Sequence, residues 1–207
     1  METERNVAEY ICRTTYSAVP SAAIVVIKDQ LLAVLGTTIA GAYADGCETV
    51  VKLAKELGGK EEASILVHGG RVPAHQAAFV NGVMARALDF CDALAPGAHI
   101  GSATIAAALA AAELAGGVNG ADFLTSIVIG TELAVRMNLG EAQYDGFDPT
   151  GVCVPFASTA AAARIMHLSE NETLNESQPT NVTGFKKKRR WYDRTNQKQA
   201  TFGRSIL

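Results

Sequence analysis

Within residues 81–102, NGVMARALDFCDALAPGAHIGS, three side chains are of types that transfer protons or steer a group that does: Asp89, Asp92 and His99. His99 stands on a loop containing proline and glycine just before a helix, where an imidazole can give or take a proton near neutral pH. The start of that helix, residues 101–104, offers unpaired backbone N–H groups on which a carboxylate could rest. Asp89 and Asp92 fall at the end of the preceding helix, where a negative charge meets the negative end of the helix dipole. Acids placed there are expected to orient a partner, and His99 is the nearest candidate. The plainer alternative is a loop histidine that only satisfies its own hydrogen bonds.

These residues need a frame, and the sequence reads as a helical one. Residues 24–42 (IVVIKDQLLAVLGTTIAGA) are apolar nearly all round, which predicts a buried helix, with Pro20 and Ser21 as start signals. Residues 47–57 place Val50, Val51, Leu53, Ala54 and Leu57 on one face of an amphipathic helix that Gly58 and Gly59 end. A short strand-like run, 63–67, closes at Gly69 and Gly70, and Pro73 begins a helical pattern through Leu88. The alanine-rich run 102–114 favours helix strongly, and its small side chains suit the centre of a bundle. After a break at Asn119 and Gly120, residues 121–139 return to helical spacing, with Gly130 expected at a tight helix contact. A glycine- and proline-containing loop, 144–155, leads to a last helix at 156–168. The expected fold is mainly α, an all-helical bundle with at most one short β-hairpin.

Composition excludes several function classes. The chain of 207 residues is 48% apolar and 19% charged, as in an ordinary globular domain. METERNVAEY at the start opens no signal-peptide core, so the expected location is the cytoplasm, or the mitochondrion in a eukaryote. The longest stretch without Asp, Glu, Lys or Arg, 93–112, is interrupted by Pro96, Gly97, His99 and Gly101, so no membrane span is expected. Cys12, Cys47, Cys91 and Cys153 share no C-x-x-C pair and no histidine spacing, which predicts reduced, isolated thiols and no metal site. No glycine-rich dinucleotide or phosphate loop, zinc-protease helix or serine elbow is present, and no cofactor is expected.

The motif in residues 81–102 resembles one of the MmgE/PrpD family. There a phrase of the type N-G-x-x-x-H-x-L-D-F-D-D-T-x-x-x-x-x-H-P-x-S links two helices, and Asn81, Gly82, Leu88, Asp89, Phe90, Asp92, His99 and Ser102 match it without a gap. The likeness continues through VPAHQAAFVNG, IVIGTELAVRM and GFDPTGVCVPFASTAAAARIMHL, covering about residues 26–168. Members of that family catalyse cofactor-free eliminations, decarboxylations or epimerisations of small polycarboxylic acids, such as 2-methylcitrate dehydration and cis-aconitate decarboxylation. The resemblance therefore implies a lyase acting on a small polycarboxylate, as a homodimer, with Asp89, His99 and Asp148 as catalytic residues and Asp92, Ser102 and Thr150 as substrate-binding ones. Asp148 replaces a histidine common in the family's later loop, and it either substitutes as acid or base or caps the turn before Pro149. Other departures are Arg86 for the first motif histidine, Cys91 for an acid, Ala93 for the motif threonine, Leu94 for a following histidine and Ile100 for a proline. His68 and His75 read as surface or capping residues, and His167 as a helix-end cation.

Beyond Leu168 the pattern changes. Residues 181–207 carry eight basic residues and one acid, a net charge of +7, while the overall formal charge is −3 and the rest is therefore −10. Residues 1–168 are expected to form the family-like helical domain, and the polar and basic 169–207 an unrelated disordered tail. This reads as a truncated or frame-shifted family member, expected to be weak or inactive alone; an inactive fragment or interaction module is the alternative reading. KKKRR at residues 186–190 would serve a nucleic-acid partner only as an isolated charge run, and neither a nucleic-acid nor a membrane partner is expected.

Overall fold

The computed structural model describes residues 2–138, 140, 142 and 148–176. Among the described residues eight α-helices and one hairpin follow one another: α1 (Glu2–Arg13), α2 (Ser21–Gly41), α3 (Cys47–Leu57), β1 (Ala63–Ser64), β2 (Arg71–Val72), α4 (Ala74–Arg86), α5 (Gly101–Leu114), α6 (Gly120–Met137), α7 (Pro149–Ile165) and α8 (Glu170–Glu176). The two strands pair antiparallel, Ala63 opposite Val72, so the expected mainly α bundle with one short hairpin is the architecture found.

α5 lies at the centre, packed against α2, α4, α6 and α7. Its alanines make this possible, because a helix without long side chains lets neighbours approach on several sides. Ile105, Ala108 and Ala111 join Ile27 and Val34 of α2, Ile127 of α6 and Ala161 and Ile165 of α7 in one buried cluster. A second cluster joins α3, the hairpin and α4 through Val51, Ile65, Val72, Val80 and Met84. Asn81 seals this corner. Its side chain, 3% exposed, accepts from the Leu66 N–H and donates to the Ser64 carbonyl, both at 3.0 Å, replacing the strand partner those groups lack.

Two glycines set the helix spacing. A Cβ at Gly130 would stand 2.6 Å from the Ala157 carbonyl oxygen, and one at Gly41 would overlap the Met84 carbonyl, so α6 touches α7, and α2 touches α4, backbone to backbone. Gly130→Ala is expected to destabilise the fold by about 1–3 kcal/mol, the range for overpacking a filled interior. Gly36, in α2, has open space around it, and Gly36→Ala there is expected to stabilise by up to about 1 kcal/mol. Urea-unfolding midpoints of the two variants check both signs.

Several features differ from those read off the sequence. α2 is buried on one side only: Ile24, Ile27, Val34, Thr37, Thr38 and Gly41 face the bundle, whereas Val26, Leu32 and Ile39 are 63–73% exposed. An all-round apolar pattern names no inward face, so tertiary contacts decide it. By length and composition α2 could cross a membrane; in the fold its inner face is committed to the bundle. α7 begins at Pro149, not at residue 156, because Asp148 caps its first turn and Pro149 suits the first helical position, and the helix then runs through Pro155 despite the hydrogen bond lost there. Residues 169–176 have no apolar period, yet Ser169 and Glu172 exchange side chain-to-backbone hydrogen bonds that start α8. α8 packs on α1, with Thr173 buried, Cys12 Sγ 3.3 Å from the Leu168 carbonyl and Arg13 Nε donating to Glu170 at 2.8 Å. The basic run 186–190, like residues 144–147 of the expected 144–155 loop, lies outside the described residues.

Candidate active site

α4 ends at Arg86, and Asp89 lies three residues on, with its N–H donating to the Arg86 carbonyl at 2.9 Å. Its φ of +50° is the left-handed conformation that commonly closes a helix and that aspartate tolerates better than most residues. That bend folds the Asp89 carboxylate back onto the Arg86 guanidinium, which donates to it. The hydrogen bond and charge of Arg86 hold the Asp89 carboxyl below its ordinary value, and the nearby His99 adds to the effect.

The chain then turns through a small closed loop, in which Leu94 and Ala98 exchange both backbone hydrogen bonds at 2.7 and 2.9 Å. This returns His99 to the side of Cys91 and Asp92. His99 Nδ1 stands 2.8 Å from the Asp92 carbonyl oxygen and 3.7 Å from Cys91 Sγ. A carbonyl only accepts, so Nδ1 carries the hydrogen and Nε2 of the neutral ring presents its lone pair. Among the described residues none hydrogen-bonds Nε2. Burial pushes the half-buried Cys91 thiol up, while the adjacent Arg86 charge opposes the shift.

The loop is fastened at both ends. The Asp92 carboxylate accepts the Gly101 N–H, 3.0 Å from each oxygen, and the Gln30 side-chain amide at 2.9 Å; the Gln30 oxygen in turn accepts from Thr131 at 3.4 Å. A Cβ on residue 101 would lie 2.5 Å from Asp92 Oδ1, so the glycine makes room for the carboxylate. On the other side the His99 N–H donates to Thr150 Oγ1 at 3.0 Å, and the Thr150 N–H donates to Asp148 at 3.0 Å. Ala98 and Ile100, the neighbours of His99, are buried against Ala134, Cys153 and Ala157. α5, α6 and α7 thus hold one histidine in place.

The residues read from the sequence fall into different roles. Asp89, Asp92, His99, Thr150 and Asp148 do gather around one loop. Asp92 meets His99 through its backbone carbonyl, while its carboxylate occupies the α5 N-terminus, where a substrate carboxylate was expected to rest. Asp148 caps α7, and Ser102 is buried in the first turn of α5. Gln30 was not legible: it is 62 positions from Asp92, and no spacing rule connects them. Arg86 registered only as a departure from a motif, although it is the cation that holds Asp89.

Elsewhere, His68 donates to the Ala42 carbonyl at 2.8 Å and its ring meets that of Tyr43 at a 60° tilt, 4.9 Å between centroids, which ties the hairpin loop to the end of α2. Burial lowers the basicity of His75, with nearby Glu62 opposing the shift. His167 is exposed after α7. These three lie apart from the loop. A family model described as the MmgE/PrpD N-terminal domain matches residues 5–177. No curated protein matches the chain.

Proposed function

The chain belongs to the MmgE/PrpD family, and on that premise we propose that it contributes the proton-transfer residue of a cofactor-free lyase that dehydrates or decarboxylates a small polycarboxylic acid of the 2-methylcitrate or cis-aconitate type. The observation that carries this reading is the fixed tautomer of His99. Its Nδ1–H is spent on the Asp92 carbonyl, and its backbone is pinned to Thr150, so Nε2 is a directed base.

In a dehydration, a proton leaves the carbon next to a carboxylate for Nε2. The C–H electron pair becomes the new double bond as the neighbouring C–O bond breaks, and the departing oxygen leaves as water once protonated. In a decarboxylation the same imidazole, protonated, returns a proton to the carbon that receives the electron pair released with CO₂. Both need an acid or base at one carbon and cationic or hydrogen-bonding groups on the carboxylates. Asp89 lies within electrostatic reach of His99. Thr150 acts through the His99 backbone, and Asp148 through the turn that presents Thr150.

The test is incubation of the chain with citrate, 2-methylcitrate and cis-aconitate, following the ultraviolet absorbance of a conjugated double bond and the release of CO₂. Binding of at least one, with weak turnover at most, is expected, and any product separates hydro-lyase from carboxy-lyase. A chain that neither turns over nor binds any of the three overturns the reading and leaves the interaction-module alternative.

A further inference from the structure

We propose that Arg86 is the anchor for a substrate carboxylate and that Asp89 holds its place in the unliganded chain, an inference that rests on the polyacid reading above. The guanidinium and the imidazole belong to one short loop: Arg86 donates to Asp89, and Cys91, two residues further on, stands 3.7 Å from His99 Nδ1. A cation and a proton-transfer group on one short loop offer a polyacid two points, one for a carboxylate and one, at Nε2, for the carbon next to it. The helix N-terminus nearby is not open for the first task, since Asp92 fills it. Arg86 remains as the cation at this loop, and its planar fork suits a carboxylate.

What Arg86 now holds is a carboxylate already. The Arg86–Asp89 pair is exposed, with side-chain exposures of 38% and 75%, and an exposed ion pair is held weakly enough to exchange. The left-handed turn at Asp89 delivers the carboxylate to the guanidinium from a backbone bend, without committing Asp89 to the core. A ligand with two or more carboxylates exchanges for Asp89 at Arg86 and gains the imidazole side at the same time. Asp89 is then a competitor for the anchor in the free chain and, once displaced, a free carboxylate beside His99.

Binding of propane-1,2,3-tricarboxylate, a saturated acid with no leaving group, measured by calorimetry on the full chain, separates these roles. Arg86→Gln is expected to weaken binding about tenfold or more. Arg86→Lys should fall between, because it keeps the charge and loses the fork. Asp89→Asn is expected to tighten binding up to about fivefold, the strength of the exposed pair it removes. Asp89 is a surface residue, so that variant stays informative even if the Arg86 changes disturb α4. Binding that is unaltered in Arg86→Gln, or weakened in Asp89→Asn, overturns the anchor while leaving the polyacid reading intact. Absence of binding by the unaltered chain and by every variant overturns both.

Discussion

Replacing His99 with alanine is expected to lower whatever turnover the chain shows by about two orders of magnitude or more, the scale of a lost general acid or base. The ring sits between two helix starts and contributes little to the core, since Ala98 and Ile100 on either side carry the burial. The variant should therefore unfold at nearly the same denaturant concentration as the parent, which separates loss of chemistry from loss of structure. Added imidazole should recover part of the rate, because the space vacated is half-open. His99→Gln is a sharper version: an amide can keep a hydrogen bond to the Asp92 carbonyl, yet it has no titratable nitrogen. An unchanged rate in either variant removes His99 from the mechanism.

Asp92→Ala is expected to be the costliest single change at the loop for stability, about 2–4 kcal/mol. The figure sums a lost helix cap, about 1 kcal/mol, with the desolvation cost of donors left unmatched on Gly101 and Gln30, about 1–3 kcal/mol. The same change loosens His99, since the residue that accepts from Nδ1 would no longer be tied to α5. Asp92→Asn should cost less in stability, because one amide oxygen still accepts from Gly101, but its NH₂ would face the Gln30 donor. Thermal and urea unfolding measure the first effect, and the loss of turnover relative to His99→Ala measures the second. Wild-type stability in Asp92→Ala would show that the cap is not what fixes the loop.

The existence of α2 to α7 was legible because it rests on local spacing and composition, whereas α1 was not read from the sequence. The alanines of α5, the amphipathic face of α3 and the small contact at Gly130 each depend on few neighbours. The orientation of α2 was not, because a helix apolar on every side gives no preferred inward face and the choice falls to distant partners. The onset of α7 was hidden by Pro155, a residue that argues against helix locally and is accepted because α7 packs along α5 and α6. The sign of α8 was present in Ser169 and Glu172, a capping pair overshadowed by the polar character of the segment. At the site, residue types and spacing singled out Asp89, Asp92 and His99, but not which atom of each does the work. Asp92 contributes its carbonyl to the histidine and its carboxylate to the helix, a division that depends on the path of the loop. Gln30 and Thr131, which steady that carboxylate, come from helices far away in sequence and carry no motif.

The close approach of Gly101 and Asp92 makes these two positions a single unit of variation. Where the carboxylate now lies, a side-chain carbon on residue 101 would have to stand. Substitutions there are consequently non-additive: once Asp92 has been shortened to alanine, the carboxylate's share of the cost of adding a carbon at residue 101 disappears, and only the approach to Val34 Cγ2 at 2.9 Å remains. A lineage drifting through this loop can abandon the glycine only after, or together with, the acid. The step that frees residue 101 is the step that releases the histidine, so tolerance at one position is bought with order at the other.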